Sequence, residues 1–228
     1  MWQVANLKVP TDIREGRHAY RLGWGDRPFR WFPDTPNEPT NRFDDPERQY
    51  QVLYASSDKL GAYTECISRF RHSTLELPQL EDFDGFQPTI QPGIVPESWF
   101  ENRYVELAIL KGNYADVSSA SWTAYFAQHQ SVKELLPDNE DYDISMLRGQ
   151  RRELTQRISR IVYDMSNNDG SQIFAGIFYP SRFGDNLHNW AIFQPESEST
   201  SRFTMITVEK VSSTDSVYRQ ACDLLNIT

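Results

Sequence analysis

Gln51-Val52-Leu53-Tyr54-Ala55, followed at once by Ser56-Ser57-Asp58, is the stretch that decides the fold class. The first five residues form a short apolar run rich in β-formers, which reads as a buried strand. Ser56, Ser57 and Asp58 are N-cap candidates, since a short side-chain oxygen can accept from an unpaired N–H at a helix start. A helix is therefore predicted over about 59–71. On its wheel Leu60, Tyr63, Ile67 and Phe70 gather on one side, near Cys66, while Glu65 and Arg69 lie on the other.

Outward from this unit, 103–111 (RYVELAILK) reads as a strand, and 118–130 and 150–165 read as helices. The second helix carries Leu154, Ile158, Ile161, Val162 and Met165 at helical spacing, and Asn167-Asn168-Asp169-Gly170 ends it with turn chemistry. Strands are predicted at 174–179, 190–193 and 203–211, with a closing helix at 216–225. Strands and helices interleave without a regular βαβ order, which points to an α+β architecture. The 228 residues suit a single domain spanning 1–228. Two Pro-rich stretches, 28–46 with Trp31, Phe32 and Phe43, and 78–96, are expected to be ordered irregular loops on a core.

The composition narrows the function. Lys and Arg number 23 against 32 Asp and Glu, a net charge of −9, which argues against nucleic acid as a direct partner. An acidic protein can still hold one concave basic site for a small phosphate ligand. Cys66 and Cys222 form no CxxC pair and suit a reducing compartment as small apolar residues. The opening MWQVANLKVP lacks a basic segment followed by an apolar one, and no run is long enough to span a bilayer, so the expected location is the cytoplasm. His18, His72, His129 and His188 sit apart with no ligand spacing, so no metal is expected.

No dinucleotide-type glycine fingerprint, phosphate-binding loop, zinc-protease helix or nucleophile elbow is present. What remains is a dispersed set of polar residues in short motifs: Tyr20-Arg21-Leu22; Asn41-Arg42-Phe43-Asp44-Asp45-Pro46; Val52-Leu53-Tyr54-Ala55-Ser56 with Ala62-Tyr63-Thr64-Glu65-Cys66; and Gly176-Ile177-Phe178-Tyr179-Pro180-Ser181-Arg182 with Asn189-Trp190-Ala191-Ile192-Phe193. In order and spacing these motifs resemble those of the RES domain family, named for a shared Arg, Glu and Ser. The resemblance covers roughly 18–71 and 150–194.

The resemblance implies a fold like that of the ADP-ribosyltransferases, with a split mixed β-sheet and flanking helices, acting on NAD⁺ and using no other cofactor. It implies a toxin-type partner, a helix-turn-helix antitoxin, and a homodimer, since family members often pair. Some relatives of this kind transfer ADP-ribose to proteins, and a non-catalytic NAD-binding module is a third reading. The chain departs from the family pattern at Asn41, where Gly is usual before the second Arg; Asn is the residue that best tolerates a left-handed turn after Gly.

The chemistry needed is modest. Breaking the nicotinamide–ribose bond of NAD⁺ passes through an oxocarbenium-like state, and nicotinamide leaves as a neutral group without a general acid. A carboxylate stabilises the ribosyl cation or activates the acceptor, arginines hold the pyrophosphate, and an aromatic ring packs on nicotinamide. The catalytic candidates are Glu65, Arg21 and Ser181; the binding candidates are Arg42, Tyr54 and Asn189. Each has a plainer alternative. Glu65 is four residues before Arg69 and suits a surface ion pair, Arg21 and Arg42 suit solvated charges, Tyr54 suits a core position, and Ser181 and Asn189 suit turns.

Overall fold

The computed structural model describes residues 8–31, 39–72, 91–195 and 200–228. Among them the chain runs β1 (Ile13–Glu15), β2 (His18–Trp24), β3 (Val52–Ser56), α1 (Lys59–Ile67), β4 (Arg103–Leu110), β5 (Asn113–Asp116), α2 (Ala120–Gln128), α3 (Gln130–Lys133), α4 (Arg152–Tyr163), β6 (Gly176–Pro180), β7 (His188–Phe193), β8 (Phe203–Lys210) and α5 (Ser216–Leu225). The architecture is α+β, as the interleaving predicts.

The deciding stretch folds as read. Of the three N-cap candidates Asp58 does the capping, its side chain accepting from the Gly61 N–H at 2.7 Å. The α-helix ends at Ile67, and Ser68–Phe70 tightens into a 3₁₀ turn. The predicted helix over 118–130 is interrupted at His129, whose extended backbone separates α2 from α3. β1, β2 and β5 were not predicted. β1 and β5 are short and largely polar, and they exist through pairing with each other and with β6 rather than through propensity. Residues 32–38 and 73–90, which hold Phe32 and most of the second Pro-rich stretch, lie outside the described residues; Phe29, Phe43 and Val95 beside them are buried.

All eight strands join one sheet in the order β1-β5-β6-β7-β3-β2-β4-β8. Every pairing is antiparallel except β5 with β6. The sheet is nearly divided in the middle. β2 shares a continuous register with β4 from His18↔Ile109 to Trp24↔Arg103, but meets β3 through the single pair Tyr20↔Ser56. Five strands thus form one lobe and three the other, which is the split sheet that the resemblance implies.

Strand alternation sorts the core. On one face Tyr20, Leu22, Ala191 and Phe193 meet the helices, in a cluster with Tyr63, Ile67, Tyr218 and Cys222 and another with Trp122, Phe126, Leu154, Ile158 and Val162. On the opposite face Ala19, Leu53, Ala55, Phe178, Trp190 and Ile192 pack with Phe29, Trp31 and Phe203 from irregular segments and the strand edge. Gly176 is required where it stands, because a Cβ there would come within 2.1 Å of the Ala191 carbonyl oxygen and 2.8 Å of the Tyr114 ring.

Candidate active site

Register builds the site. On the helix-covered face Tyr20, Ser56, Asn189 and Tyr179 form one row across β2, β3, β7 and β6. α1 starts directly after β3 and packs on both β2 and β3, which carries Glu65 over this row.

Glu65 Oε1 accepts two hydrogen bonds, from Ser181 Oγ at 2.7 Å and from Asn189 Nδ2 at 2.7 Å. Asn189 Oδ1 in turn accepts from Ser56 Oγ at 2.6 Å. Ser181 Oγ also accepts from the Phe183 N–H at 3.0 Å, which fixes the hydroxyl as donor to Glu65. Ser56, Ser181 and Asn189 are buried, whereas Glu65 is half-buried. Both donors converge on one carboxylate oxygen and neither engages Oε2. Two donors on one oxygen hold the carboxylate in one orientation.

Arginines surround this carboxylate. Arg42 sits in a turn clamped from several sides. Asp44 Oδ2 accepts from Asn41 N at 2.8 Å, Asn41 Nδ2 at 3.1 Å and Thr40 N at 3.1 Å. From α4, Gln156 donates to the Asn41 carbonyl at 3.0 Å and Ser159 to the Phe43 carbonyl at 2.6 Å. Asn41 is absent from the left-handed residues, so its backbone does not call for glycine here. The Arg42 guanidinium donates to the Leu147 and Arg148 carbonyls. Burial pulls it below the usual guanidinium range; Arg152 and Arg182 push the same way, and Tyr179 and Glu65 oppose them.

Burial likewise lowers Arg182, with Arg152 and Arg71 adding to the effect and Glu65 opposing it. Arg71 and Arg182 both lie over the Phe183 ring, at 5.3 and 4.9 Å. Arg152 Nη1 is buried without an acceptor among the described residues. Arg42 and Arg182 feel the charge of Glu65, and both feel that of Arg152, in a protein of net charge −9, an arrangement that suits a polyanionic ligand.

The six candidates from the sequence separate into groups. Glu65, Ser181 and Asn189 are joined directly, and Arg42 stands within the electrostatic reach of Glu65. Tyr54 plays a supporting part. Its hydroxyl donates to Asp44 Oδ1 at 2.8 Å and accepts from the Phe43 N–H at 2.9 Å, and so locks the Arg42 turn onto β3. Burial raises the phenol well above its ordinary value. Arg21 lies opposite Glu106 in the register and alternates away from the Tyr20–Ser56 row. Its guanidinium donates to the Pro28 and Tyr54 carbonyls, bracing the loop and strand behind the site.

Ser56, Tyr179, Arg152 and Arg182 were not singled out from the sequence. Arg182 adjoins Ser181 and was in view within its motif. Tyr179 stands in the same motif, Ser56 reads as a helix cap, and Arg152 becomes visible only through helix placement. Among the described residues no group of three or more His, Cys, Asp and Glu gathers in metal-binding fashion, and no helix is long and apolar enough to cross a membrane.

A split-sheet α+β domain with a hydrogen-bonded carboxylate under clustered arginines defines the class of site. The chain belongs to the RES domain family, whose sequence model matches residues 17–207 of the 228. That match includes every motif described above and leaves α5 outside it. Membership places the chain among proteins associated with NAD⁺-directed activity in toxin–antitoxin systems. No curated protein and no solved structure matches the chain.

Proposed function

We propose that this protein cleaves the nicotinamide–ribose bond of NAD⁺, with water or inorganic phosphate as acceptor. The observation that carries the reading is the Glu65 carboxylate, oriented through Oε1 by Ser181 and Asn189 amid Arg42, Arg152 and Arg182. The C1′–N bond breaks with its electron pair going to the pyridinium ring, so neutral nicotinamide leaves and the ribose becomes cationic. Glu65 faces that cation with Oε2 and lowers its energy. The same carboxylate takes a proton from an incoming water, or orients phosphate. Arg42, Arg152 and Arg182 hold the pyrophosphate. Tyr54 and Arg21 act as positioning residues. The reading carries a helix-turn-helix antitoxin and a second copy of the chain as proposed partners, and the cytoplasm as the proposed location.

Purified protein incubated with NAD⁺, with and without phosphate, tests this by chromatography of released nicotinamide. Release that depends on phosphate identifies a phosphorylase, and release without it a hydrolase. Glu65→Gln keeps an acceptor for Ser181 and Asn189 but loses the charge, and is expected to slow release by about 100-fold or more. Folded wild-type protein that releases no nicotinamide in either condition overturns the proposal, as does full activity in folded Glu65→Gln.

A further inference from the structure

Three strands place successive residues on opposite faces of the sheet. β6 presents Tyr179 toward Glu65 and Phe178 away from it, and β7 does the same with Asn189 and Trp190. At the end of β3, Ser56 bonds Asn189, while the next residue, Ser57, turns to the rear. On that rear face Arg14, Arg17, His18, Ser57, Phe178 and Trp190 line a cavity of about 310 Å³.

Its chemistry is specific. Trp190, part of this lining, is 2% exposed, and its indole N–H has no acceptor among the described residues. Arg14 is held by Asp116 through Nε at 2.8 Å, which fixes its guanidinium over the Phe178 ring at 5.4 Å. The Phe178 ring lies parallel to His188 at 5.0 Å and against Trp190 at 4.6 Å, so the floor is aromatic. Arg17 and His18 add basic groups at the rim, both exposed. The cavity therefore pairs a cationic rim with an apolar, planar floor.

We propose that this rear cavity is a second ligand site, distinct from the Glu65 site, for a small phosphorylated molecule bearing a planar ring, of nucleoside monophosphate size. The phosphate sits at Arg14, Arg17 and His18. The ring lies against Phe178 and Trp190. Because β6 and β7 serve both faces, occupancy at the rear bears on Tyr179 and Asn189 at the front.

The test uses the full chain labelled with ¹⁵N, following the indole N–H resonances of its six tryptophans. Trp190→Phe assigns the Trp190 signal by its disappearance. Titration with AMP is expected to move that signal saturably. Arg17→Glu should weaken AMP by about tenfold or more, the loss of a charge-assisted contact, and Arg42→Ala, on the opposite face, should leave the titration unchanged. Adenosine and ribose 5-phosphate, each lacking half of the ligand, should bind more weakly by a similar factor. No saturable shift of the Trp190 signal with AMP overturns the proposal. So does a shift that survives Arg17→Glu, one that is lost in folded Arg42→Ala, or one that ribose 5-phosphate reproduces at equal concentration. Nicotinamide release is read separately, so failure here leaves the front-site reading untouched.

Discussion

Asn189 and Glu65 stand 124 residues apart in the chain and are joined by a 2.7 Å hydrogen bond, with the other end of the same amide accepting from Ser56. Asn189 is thus a connector that uses both of its polar ends. Asn189→Ala removes both bonds in a buried setting and should cost about 1–3 kcal/mol of stability, together with a fall in nicotinamide release. Asn189→Asp sets a second carboxylate against Glu65, and like charges at that range disfavour the doubly ionised state. Its melting temperature should fall further below wild type as pH rises. Thermal melts across pH check both variants.

Arg152 offers a trade between stability and binding. Its Nη1 is buried without an acceptor among the described residues, and Arg42 and Arg182 are close enough to feel its charge. Arg152→Met removes the repulsion and the unpaired donor, so the fold should gain about 1 kcal/mol. The same change should raise KM for NAD⁺ with a smaller effect on kcat. Denaturant melts and initial-rate kinetics on one preparation decide the matter.

Glu106 supplies a pH dependence. It is 1% exposed and accepts from the Phe29 N–H at 2.7 Å. Burial raises its carboxyl above the ordinary value of 4.5, with the Phe29 bond and Arg21 opposing only in part. A carboxyl with a raised folded-state value binds its proton more tightly when folded. Its contribution is therefore favourable at low pH and is lost as pH rises from 4.5 through the raised value. Glu106→Gln stays neutral and still accepts from Phe29, so it should melt above wild type at neutral pH. The gap should close at about pH 3, below the ordinary carboxylate range.

Gly176 tests the sheet. A methyl group there meets the Ala191 carbonyl and the Tyr114 ring, and both sit in paired strands that cannot withdraw without breaking register. Gly176→Ala should destabilise by about 1–3 kcal/mol, in the manner of an overpacked core. It should also lower activity, since Tyr179 and Ser181 follow on the same segment. Circular dichroism melts give the first quantity.

The α+β class and the strand–cap–helix unit were legible because hydrophobic period and capping chemistry are local. Glu65, Ser181 and Asn189 were legible as motif residues, but their convergence on a single oxygen was not, since three distant segments supply them. Tyr54 and Arg21 show the limit more sharply. Their residue types suit ligand contact, yet the structure spends the Tyr54 hydroxyl on Asp44 and Phe43, and Arg21 on backbone carbonyls. Which hydrogen-bond partner a polar side chain finds depends on loop placement that local pattern does not encode. β1 and β5 escaped for a related reason, being made strands by their neighbours.

The lone Tyr20↔Ser56 pair has a mechanical meaning. The two halves of the sheet are held at this seam by one residue pair and the Arg21 bond to the Tyr54 carbonyl rather than by a ladder, so it is a line of weak strand pairing. Helix α1 lies across it, touching a strand on each side, and bears Glu65. Ser56, the residue that anchors Asn189, is itself half of the seam. The carboxylate and its amide support are therefore mounted on the spine of a book, where a small change in the angle of the covers is felt first.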